Sequence, residues 1–177
     1  MTGLALKDVR LILAGAIGIC VLTASSYLSV PMYPVPVTLQ TLAVVMIGVV
    51  LGPRAGALTV LSWLGLAMAG VPVLAGATGG PVAFVGPTAG YLLCFPFAAF
   101  LAGMLPRAEN LFQHATVFGA MLALHGLILL AGWAWLSLLI GPETALIAGV
   151  VPFLIGGALK AGLATVLSGV LPAAWRL

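Results

Sequence analysis

The sequence predicts an all-α integral membrane protein, a compact bundle of about six transmembrane helices with both termini cytoplasmic. Three observations predict it. The first is composition. Of 177 residues, 63% are hydrophobic and 5% charged, and mean hydropathy is +1.31; soluble domains run at about 45–50% apolar and about 25% charged. The second is length. A helix crosses the hydrocarbon in ~20 apolar residues, which leaves room for roughly five or six spans, so residues 1–177 are read as one membrane unit with no separate soluble domain. The third is the placement of the cations. Lys7 and Arg10, Arg54, Arg107 and Arg176 fall at alternate ends of the spans, while 31–36, 74–86 and 141–151 contain no Lys or Arg. Positive charge marks the cytoplasmic side, so the three connections without Lys or Arg face outward.

The first span is expected at about 10–30. Its apolar run is longer than a signal-peptide core and shows no small-residue cleavage pattern, so it is read as a retained span. Ala14, Ala16, Gly18 and Ala24 give it a small-residue face. Ala14 and Gly18 stand four apart, a spacing that lets another helix approach closely. Packing inside the bundle and docking to a partner protein both fit that face. After the loop PMYPVP, the second span runs about 37–52, with Thr38, Gln40 and Thr41 at its outer end. A glutamine in a membrane helix needs partners, so Gln40 is expected to face the bundle or a cavity. Gly52, Pro53 and Arg54 form a tight turn into a third span at about 56–73, and a fourth follows at about 87–105. The polar linker RAENLFQH leads to the fifth span, about 115–139, with His125 inside and Trp133 and Trp135 near its end, where aromatic belts sit. TALIAGV is either a short helix or the start of the last span, which begins near Pro152 and stops before Pro172. Cys20 and Cys94 both lie within apolar segments and are read as packing thiols.

Between the third and fourth spans lies a long connection rich in glycine and proline, without charge. Gly76, Gly79, Gly80, Gly86 and Gly90 allow sharp bends or close backbone approach, and Pro81 and Pro87 stiffen them. Flexible linkers are polar and rich in Gly and Ser, whereas this segment carries Val82, Phe84 and Val85. It reads as a folded lid or re-entrant loop over a site. Thr88 and Tyr91 follow at i and i+3, placing two hydroxyls on neighbouring faces.

Few residues here can carry chemistry. Lys160 is the one cation placed within a span, and an ionisable group there is a functional candidate by default. It stands ~8 residues, or ~12 Å, into the last helix, so snorkelling to the interface is the competing reading; a ligand contact is favoured. His125 is read as hydrogen-bonded in the bundle rather than as a metal ligand. Gln40, Thr41, Thr88 and Tyr91 supply neutral donors and acceptors, and Trp63, Phe84, Tyr91 and Phe95 serve either as apolar walls or as core. Asp8, near the N-terminus, is the only aspartate. That excludes a Ser/His/Asp triad or a carboxylate dyad within the membrane. No GxxxxGK[ST] phosphate loop occurs, and Cys/His metal spacing is missing. Neither a metal nor a cofactor is implied, and a net charge of +3 from scattered loop residues is no nucleic-acid footprint.

Three runs resemble the signature regions of one family: PVPVTLQTLAVVMIGVVLGPRAGAL (34–58), GGPVAFVGPTAGYLLCFP (79–96) and PFLIGGALK (152–160). They resemble, in order and spacing, the BioY family, the biotin-specific S components of energy-coupling-factor (ECF) transporters. The resemblance implies a six-helix S-component fold. Biotin would bind near the outer face, under the loops between spans one and two and between three and four. It also implies partners, a transmembrane coupling protein and two ABC-type ATPases, with the small-residue face at Ala14 and Gly18 docking on the coupling protein. Lys160, Gln40, Thr41, Thr88 and Tyr91 would then form the polar shell around biotin, with Gly79, Gly80, Gly86 and Gly90 letting the loop close.

One departure stands out. The family's last signature carries an Asp three residues before the Lys, where this chain has Gly157, and Ile155 replaces a usual Pro. An Asp–Lys pair at i and i+3 shares a helix face, the carboxylate accepting ureido N–H groups and the ammonium donating. Without the Asp, Gln40 or a carbonyl of the glycine-rich loop would have to accept them, or affinity falls roughly 10- to 150-fold. Two further readings remain: a solitary transporter working without ATPases, as a homo-oligomer, and an intramembrane enzyme using His125 and Lys160. The lack of a membrane-embedded carboxylate weighs against the enzyme.

Overall fold

The computed structural model describes residues 2–106 and 110–171, with side chains from residue 8 onward. Helix α1 (Thr2–Tyr27) carries the N-terminal apolar run. Pro31, Pro34 and Pro36 cannot continue a helix, and the chain instead turns back through a minimal hairpin. In it β1 (Ser29–Val30) pairs antiparallel with β2 (Val37–Thr38), Ser29 opposite Thr38. The second helix therefore starts later than the hydropathy suggests. α2 spans Gln40–Leu51, and residues 37 and 38 belong to the hairpin. Gly52, at φ +78°, makes the corner into α3 (Pro53–Met68), with Pro53 in the first turn. The lid follows, with a 3-10 turn at Pro81–Phe84. Then come α4 (Ala89–Gly103) and α5 (Leu111–Ile140), the latter capped by Asn110, whose side chain accepts from the Gln113 N–H. TALIAG falls in a separate short helix, α6 (Pro142–Gly149), Val150 caps it, and α7 (Val151–Val170) closes the bundle.

α4 is the central post, packed on α2, α3 and α5. α1 leans on α2 and α3, and α7 lies against α5 and α2. Trp63 of α3 is fully buried and stacks on Phe95 of α4 at 6.5 Å between ring centres.

Three helical segments are long and apolar enough to cross a membrane: Asp8–Tyr27, Leu111–Ile140 and Val151–Val170. α2, α3 and α4 have 12, 16 and 15 residues. At 1.5 Å per residue they rise only ~18, ~24 and ~22 Å, short of the ~30 Å hydrocarbon thickness. The hairpin before α2 and the lid between α3 and α4 extend these short helices at one end. Irregular backbone at such depth is tolerated where it is buried in protein or lines a cavity. The short helices and the cavity are thus one feature.

Candidate ligand-binding site

A cavity of about 410 Å³ opens at that end, between the hairpin, α2, the lid, α4, α5 and α7. Its volume lies within the range of small-molecule sites. The lid over it is folded and tied at both ends. Ser26 donates to the Val73 carbonyl at 2.7 Å, and the Tyr27 hydroxyl donates to that of Pro72. At the far end the Trp135 indole N–H donates to the Gly86 carbonyl at 2.9 Å. In between, Leu74 and Thr78 pair across a tight turn, with Ala77 at φ +54°. Gly79 passes so close to the Val71 backbone that a Cβ there would collide with its carbonyl. Trp135→Phe keeps the ring and removes the donor. Amide exchange across residues 79–88 is expected to quicken roughly 2- to 10-fold, the worth of one hydrogen bond. Unchanged exchange by mass spectrometry would show that the indole does not restrain the lid.

Lys160 turns from α7 into the cavity. Its ammonium donates to the Thr38 carbonyl at 2.5 Å and to Thr41 Oγ1 at 3.3 Å. The half-buried lysine therefore bridges α7 to the hairpin and the first turn of α2 instead of snorkelling. Thr38 in turn donates to Gln40 Oε1 and accepts from the Gln40 N–H, both at 3.2 Å. Gln40 is buried and lines the cavity with Thr41. Thr88 also lines it and makes no side-chain cap to α4. Among the described residues Lys160 is the one Lys or Arg on the wall, and no carboxylate lies there.

Several expectations change. Tyr91 lines the cavity with its ring, but its hydroxyl is committed to the Gly149 carbonyl at 2.7 Å, where it braces α4 against α6. Gly79 and Gly86 line the cavity, whereas Gly80 and Gly90 are not on its wall. Gly80 donates its N–H to the Ala67 carbonyl at 2.6 Å, tying the lid to α3. Gly90 is a packing glycine: a Cβ there would lie 2.5 Å from Ala131 O and from Trp135 Cβ, so it seats α4 on α5. Phe95 is wall, while Trp63 and Phe84 are not. Gly18 is buried, and a Cβ on it would meet Thr59 Cγ2 at 2.9 Å. The Ala14–Gly18 face is thus the internal seam of α1 with α3 and α2, and not a free docking face. The exposed side of α1 instead carries Ile12, Leu13, Ala16, Ile17, Cys20 and Ala24.

Sequence reasoning missed Val35, Pro36 and Phe153 as wall, and it read His125 as a bundle residue, linking it to a site only in the disfavoured enzyme reading. His125, Ile128 and Leu129 line the cavity together. Their i, i+3, i+4 spacing was the available signal. Gly157 lies one turn before Lys160 on the same wall.

The comparisons with known proteins agree with this geometry. A family model described as the BioY family matches residues 1–177. The chain is 35% identical to a probable biotin transporter BioY of Pyrococcus horikoshii, over 92% of this chain and 94% of that protein. It is 36% identical to a biotin transporter BioY of Lactococcus lactis subsp. cremoris, over 76% and 74%. Among solved structures, it superposes with a TM-score of 0.78 on the crystal structure of the S-component for biotin from an ECF-type ABC transporter. That likeness holds at 31% identity and covers 92% of this chain and 90% of the other.

Proposed function

The chain belongs to the BioY family, and from that premise we propose that it is the membrane-embedded biotin-binding S component of an ECF-type vitamin uptake system. The observation that carries the reading is the charge pattern of the cavity. Its wall is largely apolar, with neutral donors and acceptors at Gln40, Thr41 and Thr88 and one ammonium, Lys160. Biotin has the matching inventory: an uncharged bicyclic ring with a ureido group, an apolar chain and a single carboxylate. The tied lid closes the cavity over it, with Gly79 and Gly86 giving the backbone room to pass.

Capture takes place at the outer face and delivery inward, with both termini cytoplasmic. The absence of a phosphate loop from the sequence supports a division of labour in which a transmembrane coupling protein and two ABC-type ATPases supply the energy. The coupling protein meets the exposed side of α1, where Ala16, Cys20 and Ala24 recur at i+4 spacing, because Gly18 is already spent on α3.

Titration of the purified chain with biotin, by calorimetry in detergent, tests the assignment. A saturable, tight one-to-one isotherm is expected. A folded protein that takes up no biotin at micromolar concentration would refute it.

A further inference from the structure

We propose that His125 is a specificity-determining residue whose Nε2 accepts a hydrogen bond from an N–H of the bound ligand, on a wall where no carboxylate lies among the described residues. The inference rests on the biotin reading and deepens it. The His125 Nδ1 lies 2.9 Å from the Met121 carbonyl, one turn back on α5. A carbonyl only accepts, so Nδ1 carries the proton in that bond. In the neutral ring this fixes the tautomer and leaves Nε2 with a bare lone pair. His125 is 4% exposed, and Nε2 is buried without a hydrogen-bond partner among the described residues. Buried polar atoms are nearly always paired, and an orphan one requires an explanation. His125 is on the cavity wall and its Nε2 is covered in the ligand-free chain, so a donor carried in by a ligand, with a small shift of the neighbours that cover Nε2, is the partner that the surrounding side chains do not provide.

The neighbours specify what kind of ligand this is. Across the α5–α7 contact lies Gly157, and a Cβ built there would sit 3.9 Å from His125 Cβ. Position 157 has no side chain, so the imidazole is the polar group in that part of the wall. One turn further, Lys160 supplies N–H donors. The wall therefore carries both a donor and an acceptor, a pattern that suits a cyclic urea or amide, which presents a carbonyl and an N–H together. Gln40 Oε1 already receives the Thr38 hydroxyl and keeps one further lone pair, whereas the His125 Nε2 has no partner among the described residues.

The test is a cycle between protein and ligand variants on the full chain in detergent. Wild type, His125→Phe and His125→Gln are titrated with biotin and with two analogues, each methylated on one ureido nitrogen. His125→Phe keeps a flat ring and deletes the acceptor. It is expected to lose about 10-fold in biotin affinity and to lose nothing further for one of the two methylated analogues. His125→Gln, which can present a carbonyl, is expected to recover part of the loss. An unchanged affinity for biotin in His125→Phe, or an equal loss for all three ligands, would overturn the proposal. A folded wild type that binds no biotin would overturn the parent reading and this one with it.

A readout on the wild type covers the case in which the variants do not fold. The chain has two histidines, and His114, in the first turns of α5, serves as internal control. With ¹⁵N-labelled histidine, biotin is expected to move the His125 Nε2 resonance upfield and to leave that of His114 in place. No movement at saturation would count against the proposal as directly as the titration.

Discussion

Lys160→Met is expected to lower biotin affinity by roughly 10- to 150-fold, the worth of one charged hydrogen bond at ~1.5–3 kcal/mol. An ammonium has three N–H donors. Two of them are engaged, with Thr38 O at 2.5 Å and Thr41 Oγ1 at 3.3 Å, and the third remains for the ligand. Methionine keeps the apolar stem and removes the charge, so the loss reports on the head group and not on packing. Lys160→Arg is not expected to restore binding, because a planar fork cannot place its donors where a compact ammonium does. Lys160→Met also cuts the tie between α7 and the hairpin, so the ligand-free protein should melt at a lower temperature. Titration and thermal melts with and without biotin separate the two effects. If Lys160→Met binds biotin within about 2-fold of wild type, a difference of ~0.4 kcal/mol, the ammonium does not touch the ligand.

What the sequence alone made legible follows from what hydropathy can and cannot encode. Composition declares the membrane, and the glycines and prolines of 74–86 declare a folded lid. Lys160, Gln40, Thr41 and Thr88 are conspicuous because polar groups are costly in a span. Rotational setting is another matter. In water, the apolar stripe of a helix identifies its buried face. In lipid both faces are apolar, and the driving force for helix association is close packing. Thus Ile12, Leu13 and Ile17 on the outside of α1 look no different from fully buried Leu22, and nothing local says that Gly18 faces Thr59. The Tyr91 hydroxyl shows the same limit in another form. Its partner, the Gly149 carbonyl, lies 58 residues further along the chain, so the spacing to Thr88 could suggest a shared site but not that the hydroxyl was already taken. The starts of α2 and α4 were set too early for a related reason. Val37 and Thr38 read as the start of the second span and Pro87 as that of the fourth, yet the former belong to the hairpin and α4 begins at Ala89.

Gly48→Leu is expected to abolish recovery of folded protein, and Gly48→Ala to cost about 1–3 kcal/mol of stability or more, the range for overpacking a filled interior. Gly48 is where three helices meet. A Cβ on it would collide with the Ala99 carbonyl of α4 and lie 2.9 Å from the Ala99 carbonyl carbon, while a Cβ on Gly56 of α3 would lie 2.7 Å from Gly48 Cα. These contacts are backbone against backbone, so no rotamer change relieves them. The whole of α2 has to move. Gln40 and Thr41 ride on the first turn of that helix, eight and seven residues earlier and only ~12 Å away. Gly48→Ala should therefore weaken biotin binding as well as lower the melting temperature, although residue 48 does not line the cavity. Gly126 on α5 has nothing within 4 Å of its Cβ position, so Gly126→Ala controls for a methyl group added where there is space and should leave both readouts unchanged. A Gly48→Ala protein that melts and binds like wild type would mean that α2 is positioned by something other than this three-helix contact. The lysine tie from α7 would then be the next candidate.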